Sequence, residues 1–287
     1  MKGIILAGGT GSRLMPITKV VNKQLLPVYD KPMIYYPLCT LMELGIVDIL
    51  IISNRKSLPF YKELLGNGKK YGINLQYEYQ EEPRGLAEAF IIGESFIGND
   101  NVTLILGDNI FYGNNLTNEI NVISKNFNGG IVFGYEVSNP SDYGVVSFNE
   151  NGFVNSIIEK PENPQSNFAV PGLYIYDNSV VQRAKNLNYS QRNELEITDL
   201  NNNYLKDGIL KVRILPKGSV WFDTGTYATY SSACEFIRVV QERQKILIGS
   251  IEETAFNLNL INEFQLKELA KENSASDYGA YLKKLKK

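Results

Sequence analysis

The chain has 287 residues, 44% of them hydrophobic and 21% charged, with a formal net charge of −2 and no histidine. That is the composition of a globular protein with a large core; it excludes a nucleic-acid-coating surface, histidine-dependent nucleophilic triads and histidine-ligated zinc. Chemistry on this chain must run on carboxylates, lysines, arginines and a hard metal ion.

The first element is a short unbroken apolar run, Ile4 to Leu6, as expected of a strand covered on both faces in a largely parallel sheet. It begins without a charged leader, and no apolar run approaches the ~20 residues that span a bilayer. Cys39 and Cys234 stand far apart in apolar helical contexts, which suits reduced, buried thiols. The expectation is a cytoplasmic protein with no membrane or nucleic-acid partner.

The strand runs straight into Gly8, Gly9, Thr10 and Gly11, a loop able to approach a ligand closely and turn its N–H groups toward negative charge. Arg13, Lys19 and Lys23 add fixed cations, and Pro16 and Pro27 limit how far the segment relaxes. A polyphosphate needs this combination. A dinucleotide fingerprint would require glycine at the position of Leu14, and Pro16 cuts short the helix that should follow; no Gly-Lys-Ser/Thr run supports a Walker loop.

Residues 35–44 read as a helix with Pro37 in its first turn and Gly45 as its stop. A buried strand at 48–53, a helix at 60–65, an alternating strand at 75–79, a loop at 80–85 and a helix over 86–96 follow. Residues 102–106 form another apolar strand, ending in Gly107-Asp108-Asn109. This alternation predicts a doubly wound α/β sheet, whose ligands lie at the carboxyl ends of its strands. Strands at 131–137, 143–148, 153–159, 169–177 and 209–215, with only short helices between them, predict an antiparallel extension. From 229 the pattern is helical: Ala233, Phe236, Ile237 and Val240 form an apolar stripe opposite Glu235, Arg238 and Glu242, and the chain ends in the basic run KKLKK.

Asp108, at a strand end, can hold Mg²⁺ against triphosphate oxygens or cap a following helix. Asp223, in Trp221-Phe222-Asp223-Thr224-Gly225, would supply a second carboxylate, and magnesium needs only one or two beside substrate phosphates. Glu159-Lys160-Pro161 joins a carboxylate able to bond sugar hydroxyls to a lysine able to hold a monoester phosphate. The residues alone fit an ion pair at a surface strand end equally well.

The run G-G-x-G-x-R-L-x-P-x-T-K, followed by NKQLLPVYDKPMIYYP, resembles the sugar-1-phosphate nucleotidyltransferases, and within them the branch that joins dTTP and glucose 1-phosphate. The likeness continues in order through LILGDN (104–109), YGVV (143–146), EKP (159–161), GLYIYD (172–177), LEITD (195–199) and WFDTGT (221–226). It implies a Rossmann-like nucleotidyltransferase fold with a mixed, mostly parallel central sheet flanked by helices. A core over 1–228 would divide into a nucleotide half (about 1–110) and a sugar-phosphate half (about 111–228), and a helical segment over 229–287 would help build a homotetramer. It further implies Mg²⁺, with dTDP-glucose and pyrophosphate as products.

Carried over by the resemblance, Leu6, Gly8, Gly9, Thr10, Gly11, Gln24, Gln80, Pro83, Gly85 and Asp108 meet the nucleotide. Asn109, Tyr143, Gly144, Glu159, Lys160, Val170, Tyr174 and Trp221 meet the sugar phosphate; Asp108 and Asp223 hold the metal; Arg13, Lys23 and Lys160 neutralise the reacting phosphates. Arg84 and Glu88 depart from the aspartate and glutamine common there, beside the pyrimidine pocket. An anionic phosphate nucleophile needs no general base, in keeping with a chain lacking histidine. Other readings are the same chemistry with UTP or another hexose phosphate, a catalytically silent sugar-nucleotide sensor that keeps the fold, and, more remotely, a dehydrogenase.

Overall fold

Strand β1 (Lys2–Ala7) runs through the interior, with Ile4, Ile5 and Ala7 cut off from solvent. The computed structural model describes residues 1–113 and 127–286. After β1 come a small hairpin of β2 (Pro27–Val28) and β3 (Lys31–Pro32), then β4 (Asp48–Ser53), β5 (Asn74–Tyr79) and β6 (Val102–Leu106). β1 pairs in parallel with β4 on one side and β6 on the other, and β5 extends the sheet in parallel beyond β4. Four parallel strands with their carboxyl ends together are the doubly wound half that the alternation of elements predicts.

The second half supplies β7 (Ile110–Tyr112), β8 (Gly130–Glu136), β9 (Gly144–Phe148), β10 (Val154–Glu159), β11 (Phe168–Ala169), β12 (Leu173–Tyr176), β13 (Leu210–Ile214) and β14 (Val220–Phe222). Among the described residues the main sheet has ten strands in the order β10-β9-β11-β8-β12-β6-β1-β4-β5, with β13 along β8. β12 lies antiparallel to β6, which begins the expected antiparallel extension. β7 and β14 form a separate antiparallel pair, Trp221 opposite Phe111.

Two expected elements are interrupted. The helix expected over 86–96 divides into Glu88–Ile92 and Glu94–Ile97 at Gly93, where a Cβ would stand 2.9 Å from Ile4 Cδ1 and 3.3 Å from Leu50 Cδ2. The helix is pressed onto the sheet there. The strand expected over 169–177 breaks at Val170-Pro171-Gly172, because Pro171 offers no ladder donor and the Gly172 N–H turns aside to Asn109 Oδ1 at 2.9 Å. The pieces then serve different neighbours, β11 between β8 and β9, β12 between β6 and β8. A ten-residue helix, Ile197–Lys206, stands where only short helices were expected.

The long helix Tyr227–Gln244 starts at Thr226, whose hydroxyl accepts from Thr229 N while Thr229 Oγ1 accepts from Thr226 N. Of its apolar stripe, Ala233 and Ile237 are fully buried against Val28, Met33, Tyr36 and Ile110, and Phe236 and Val240 are partly covered. Cys39 is buried, whereas Cys234, expected buried, is only half so, since it lies at the flank of that stripe near the Pro27 carbonyl; both thiols are free. The tail helices Ile251–Asn257, Glu263–Glu272 and Asp277–Leu282 place Ile251, Phe256, Leu266, Leu269 and Leu282 in one cluster with Leu41, Met42, Tyr71 and Ile73. The last residue of the terminal basic run, Lys287, lies outside the described residues. No helix among the described residues is long and apolar enough to cross a membrane.

Because these helices complete the same core as the sheet, Phe256→Ala is expected to cost about 3–5 kcal/mol. Denaturant unfolding followed by tryptophan fluorescence and far-UV circular dichroism should show one coincident transition at a lowered midpoint. Separate transitions would mean that the tail folds on its own.

Candidate active site

The loop after β1 is held by its own side chains. Gly11 has φ +61, and a Cβ there would stand 2.9 Å from Thr18 Cγ2, while Thr18 Oγ1 donates to the Gly11 carbonyl at 2.7 Å. Asn22 ties the far end back: its Nδ2 donates to the Ala7 carbonyl at 3.2 Å, and its Oδ1 accepts from Gln24 N at 3.0 Å and Tyr61 OH at 2.7 Å. Between these anchors Lys23, only 6% exposed, places Nζ 2.6 Å from Asp108 Oδ2. The expected phosphate-binding lysine and the expected metal carboxylate are therefore paired with each other.

Asp108 follows β6. Its Oδ1 accepts from Asn109 Nδ2 at 3.1 Å, and its carbonyl accepts from Thr224 Oγ1 at 2.7 Å, which ties it to the segment after β14. Asp223 in that segment accepts from Gly225 N at 3.2 Å. A Cβ on Gly225 would lie 3.0 Å from Arg13 Nη2 and 3.1 Å from Asp223 Oδ2, so Arg13 and Asp223 converge there. Tyr143 records the same cluster: burial and then the Asp223 and Asp142 charges push its phenol up to about 12, with Arg13 opposing. Asn109, 3% exposed, uses Oδ1 to accept from both Gly172 N (2.9 Å) and Trp221 Nε1 (2.6 Å).

These groups line two adjoining cavities. The larger, about 490 Å³, is walled by Arg13, Asp108, Asn109, Tyr143, Gly144, Glu159, Lys160, Val170, Tyr174, Trp221 and Asp223, all of them named by the sequence. The smaller, about 190 Å³, is walled by Leu6, Gly9, Gln24, Gln80, Pro83 and Gly85, again all named. The two share Leu86, Leu106, Asp108 and Glu194. Gly8, Thr10, Gly11 and Lys23 wall neither; Gly8 lies against Gln80 Oε1 and Gly11 against Lys23. A more open groove of about 620 Å³ along Asn155, Asn188 and Asn202 contains none of the named residues.

The nucleotidyl transferase family model matches residues 2–239. The chain belongs to that family. Over 287 residues it is 53% identical to the glucose-1-phosphate thymidylyltransferase of Neisseria meningitidis serogroup A, with all of both chains covered. Among solved structures it is similar to a candidate glucose-1-phosphate thymidylyltransferase from Bacillus anthracis in complex with a sucrose, at 41% identity and TM-score 0.77, covering 83% of this chain and 95% of that one. It is also similar to a UDP-glucose pyrophosphorylase complexed with UDP-glucose, at 26% identity and TM-score 0.72, covering 85% and 99%.

In this nucleotidyl transferase Glu159 accepts from Thr198 Oγ1 at 2.8 Å and lies 3.9 Å from both Lys160 Nζ and Arg192 Nη2. The ion pair allowed by the sequence is present, loosely, and both its members face the larger cavity. Lys160 sits at φ +44, a left-handed conformation fixed by its N–H bond to the Tyr143 carbonyl. Arg192, Glu194 and Glu196 also line the cavity and were not singled out by sequence; their alternation just before the 197–206 helix was the available signal.

Asn109→Ala leaves two buried donors, Gly172 N and Trp221 Nε1, without an acceptor. At about 1–3 kcal/mol for each, the expected loss is roughly 2–6 kcal/mol of stability. Chemical denaturation of the variant measures it, and a loss below about 1 kcal/mol would show that water replaces the side chain.

Proposed function

We propose that this nucleotidyl transferase moves a deoxythymidylyl group from dTTP to glucose 1-phosphate, giving dTDP-glucose and pyrophosphate. The observation that carries the reading is the pair of cavities joined at Asp108, with Arg13, Asp223 and Lys160 around the larger one. The names of the relatives support it. The thymine lies in the smaller cavity under Gln80 and Gly85, the triphosphate along the Gly8–Gly11 loop, and the sugar against Gly144, Glu159, Val170, Tyr174 and Trp221.

An oxygen of the sugar phosphate attacks the α-phosphorus in line, and the bond to the β-phosphate bridging oxygen breaks. Arg13 stabilises charge on the α-phosphate and leaving group, Lys23 meets the β- and γ-phosphates, and Lys160 orients the attacking phosphate. The nucleophile is already an anion, so no side chain need take its proton. Asp108 and Asp223 offer two hard oxygen donors on one cavity, which suits Mg²⁺ completed by phosphate oxygens. When bound, the ion neutralises phosphate charge. Lys23 must then exchange Asp108 for the nucleotide, freeing the carboxylate.

A second reading, UTP in place of dTTP, rests on the likeness to UDP-glucose pyrophosphorylase. Uracil differs from thymine by one methyl group, worth about 1–3 kcal/mol in an apolar pocket. The core over 1–228 would carry catalysis in the cytoplasm, and helices over 229–287 would contribute to a homotetramer. Exposed Val239 on the long helix and Phe264 on the helix Glu263–Glu272 leave apolar surface for that contact.

Asp223→Asn is expected to lower turnover by several powers of ten in a folded protein, measured by pyrophosphate release at saturating Mg²⁺. Asp108→Asn should do likewise, but it also strips buried Lys23 of its partner, so the Asp223 variant is the cleaner test. Lys160→Ala should raise KM for glucose 1-phosphate far more than for dTTP; equal effects would reject its assigned partner. In a nucleotide panel dTTP should exceed UTP by no more than about tenfold, with ATP far behind. A preference for UTP would decide for the second reading.

A further inference from the structure

Gln80 is the polar side chain of the smaller cavity whose surroundings are most fully determined. It is 6% exposed, and its Nε2 donates to Glu88 Oε2 at 2.7 Å and to the Gly85 carbonyl at 3.3 Å. An amide nitrogen has two hydrogens, so both are engaged by the protein. Gln80 Oε1 lies on the other side, 3.2 Å from where a Cβ on Gly8 would be, and the missing side chain leaves room beside it. Turning the amide over would face Oε1 to the Glu88 carboxylate, acceptor against acceptor.

We propose that Glu88 is a positioning residue for base choice: with the Gly85 carbonyl it holds the Gln80 amide so that an acceptor, not a donor, faces the nucleobase. This rests on the reading of the smaller cavity as the base site. A fixed acceptor selects a base edge with an imino N–H, as thymine and uracil present at N3. Cytosine presents a bare nitrogen there and would meet Oε1 lone pair to lone pair. Glu88 does not touch the base; its carboxylate is acceptor-only, which fixes the amide more firmly than a neutral partner able both to donate and to accept.

The test compares dTTP and dCTP as substrates for the full-length protein carrying Glu88→Ala and Glu88→Gln. Glu88→Ala is expected to raise KM for dTTP about tenfold and to narrow the dTTP to dCTP ratio of kcat/KM at least tenfold, with kcat and the KM for glucose 1-phosphate unchanged. Glu88→Gln, whose side-chain carbonyl can still accept from Gln80, should keep most of the wild-type ratio. Should the alanine variant fail to fold, Glu88→Leu fills most of the volume without an acceptor. An unchanged ratio in the acceptor-free variant, or an equal loss for both nucleotides through kcat, overturns the proposal. Calorimetric binding of dTDP and dCDP to the same proteins reads the amide orientation without turnover. Wild-type protein that binds neither would defeat the base-site reading and this inference together, whereas binding with an unshifted ratio defeats only the role of Glu88.

Discussion

The pairing of Lys23 with Asp108 is the contact on which the site depends. It joins residues 85 positions apart, one beyond the glycine loop of β1 and the other at the end of β6. Both strands end at the same level because they pair in parallel, Leu6 opposite Leu106. A lysine this far from water needs an anionic partner, and removing the partner of a buried charge costs about 3–5 kcal/mol. Asp108 is a quarter exposed, so the cost here is at the lower end, but its direction is clear. Asp108 thus gives the buried ammonium its partner and holds it at the carboxyl end of β6.

The two cavities are also linked mechanically. Leu195 N donates to the Arg84 carbonyl at 2.7 Å, and Ala87 N donates to the Leu195 carbonyl at 3.2 Å. Gly85 lies between these bonds at φ +100, where a Cβ would stand 2.4 Å from the Leu195 carbonyl oxygen. Only glycine fits. The loop over the smaller cavity is thus stapled to the segment carrying Glu194, Glu196 and Thr198 beside the larger one. The two walls are therefore one hydrogen-bonded unit.

Several candidate site residues were legible from elementary rules. Asp108 and Asp223 follow strands, and open α/β sheets collect their ligands there. The expectation of a polyphosphate at Gly8 to Gly11 with Arg13 and Lys23 came from composition alone. Gln80, Gly85 and Tyr174 were legible only through the resemblance, because a lone glutamine or tyrosine carries no spacing signal. Arg192 and Glu196 escaped because their alternation spans only five residues of a polar stretch, placed by the staple at Leu195 and not by local propensity. The helix Ile197–Lys206 was legible in its spacing, with Ile197, Leu200, Asn201 and Tyr204 buried at i, i+3, i+4 and i+7, but its run of asparagines masked it. The β7 and β14 pair is three residues per strand and joins segments about 110 positions apart, beyond the reach of any local window.

The helical tail bears on the site through a second buried lysine. Lys31, 2% exposed, donates to Asp30 Oδ1 at 2.5 Å and to Gln241 Oε1 at 2.9 Å, and its Nζ lies 5.6 Å from the Tyr278 ring centre. Burial lowers its pKa, and the Asp30 carboxylate opposes that shift. Gln241 belongs to the long helix and Tyr278 to the final one, so Lys31 fastens the β2–β3 hairpin to the tail. The hairpin in turn continues from the turn that carries Lys23 and Gln24, with Met33 N bonded to the Leu26 carbonyl and Ile34 N to the Gln24 carbonyl. One end of this short segment is therefore fixed to the sheet through Asp108 and the other to the tail through Gln241. Packing of the core alone would not tie the C-terminal helices to the turn that carries Lys23; the segment from Lys23 to Lys31 does so through one buried lysine at each end.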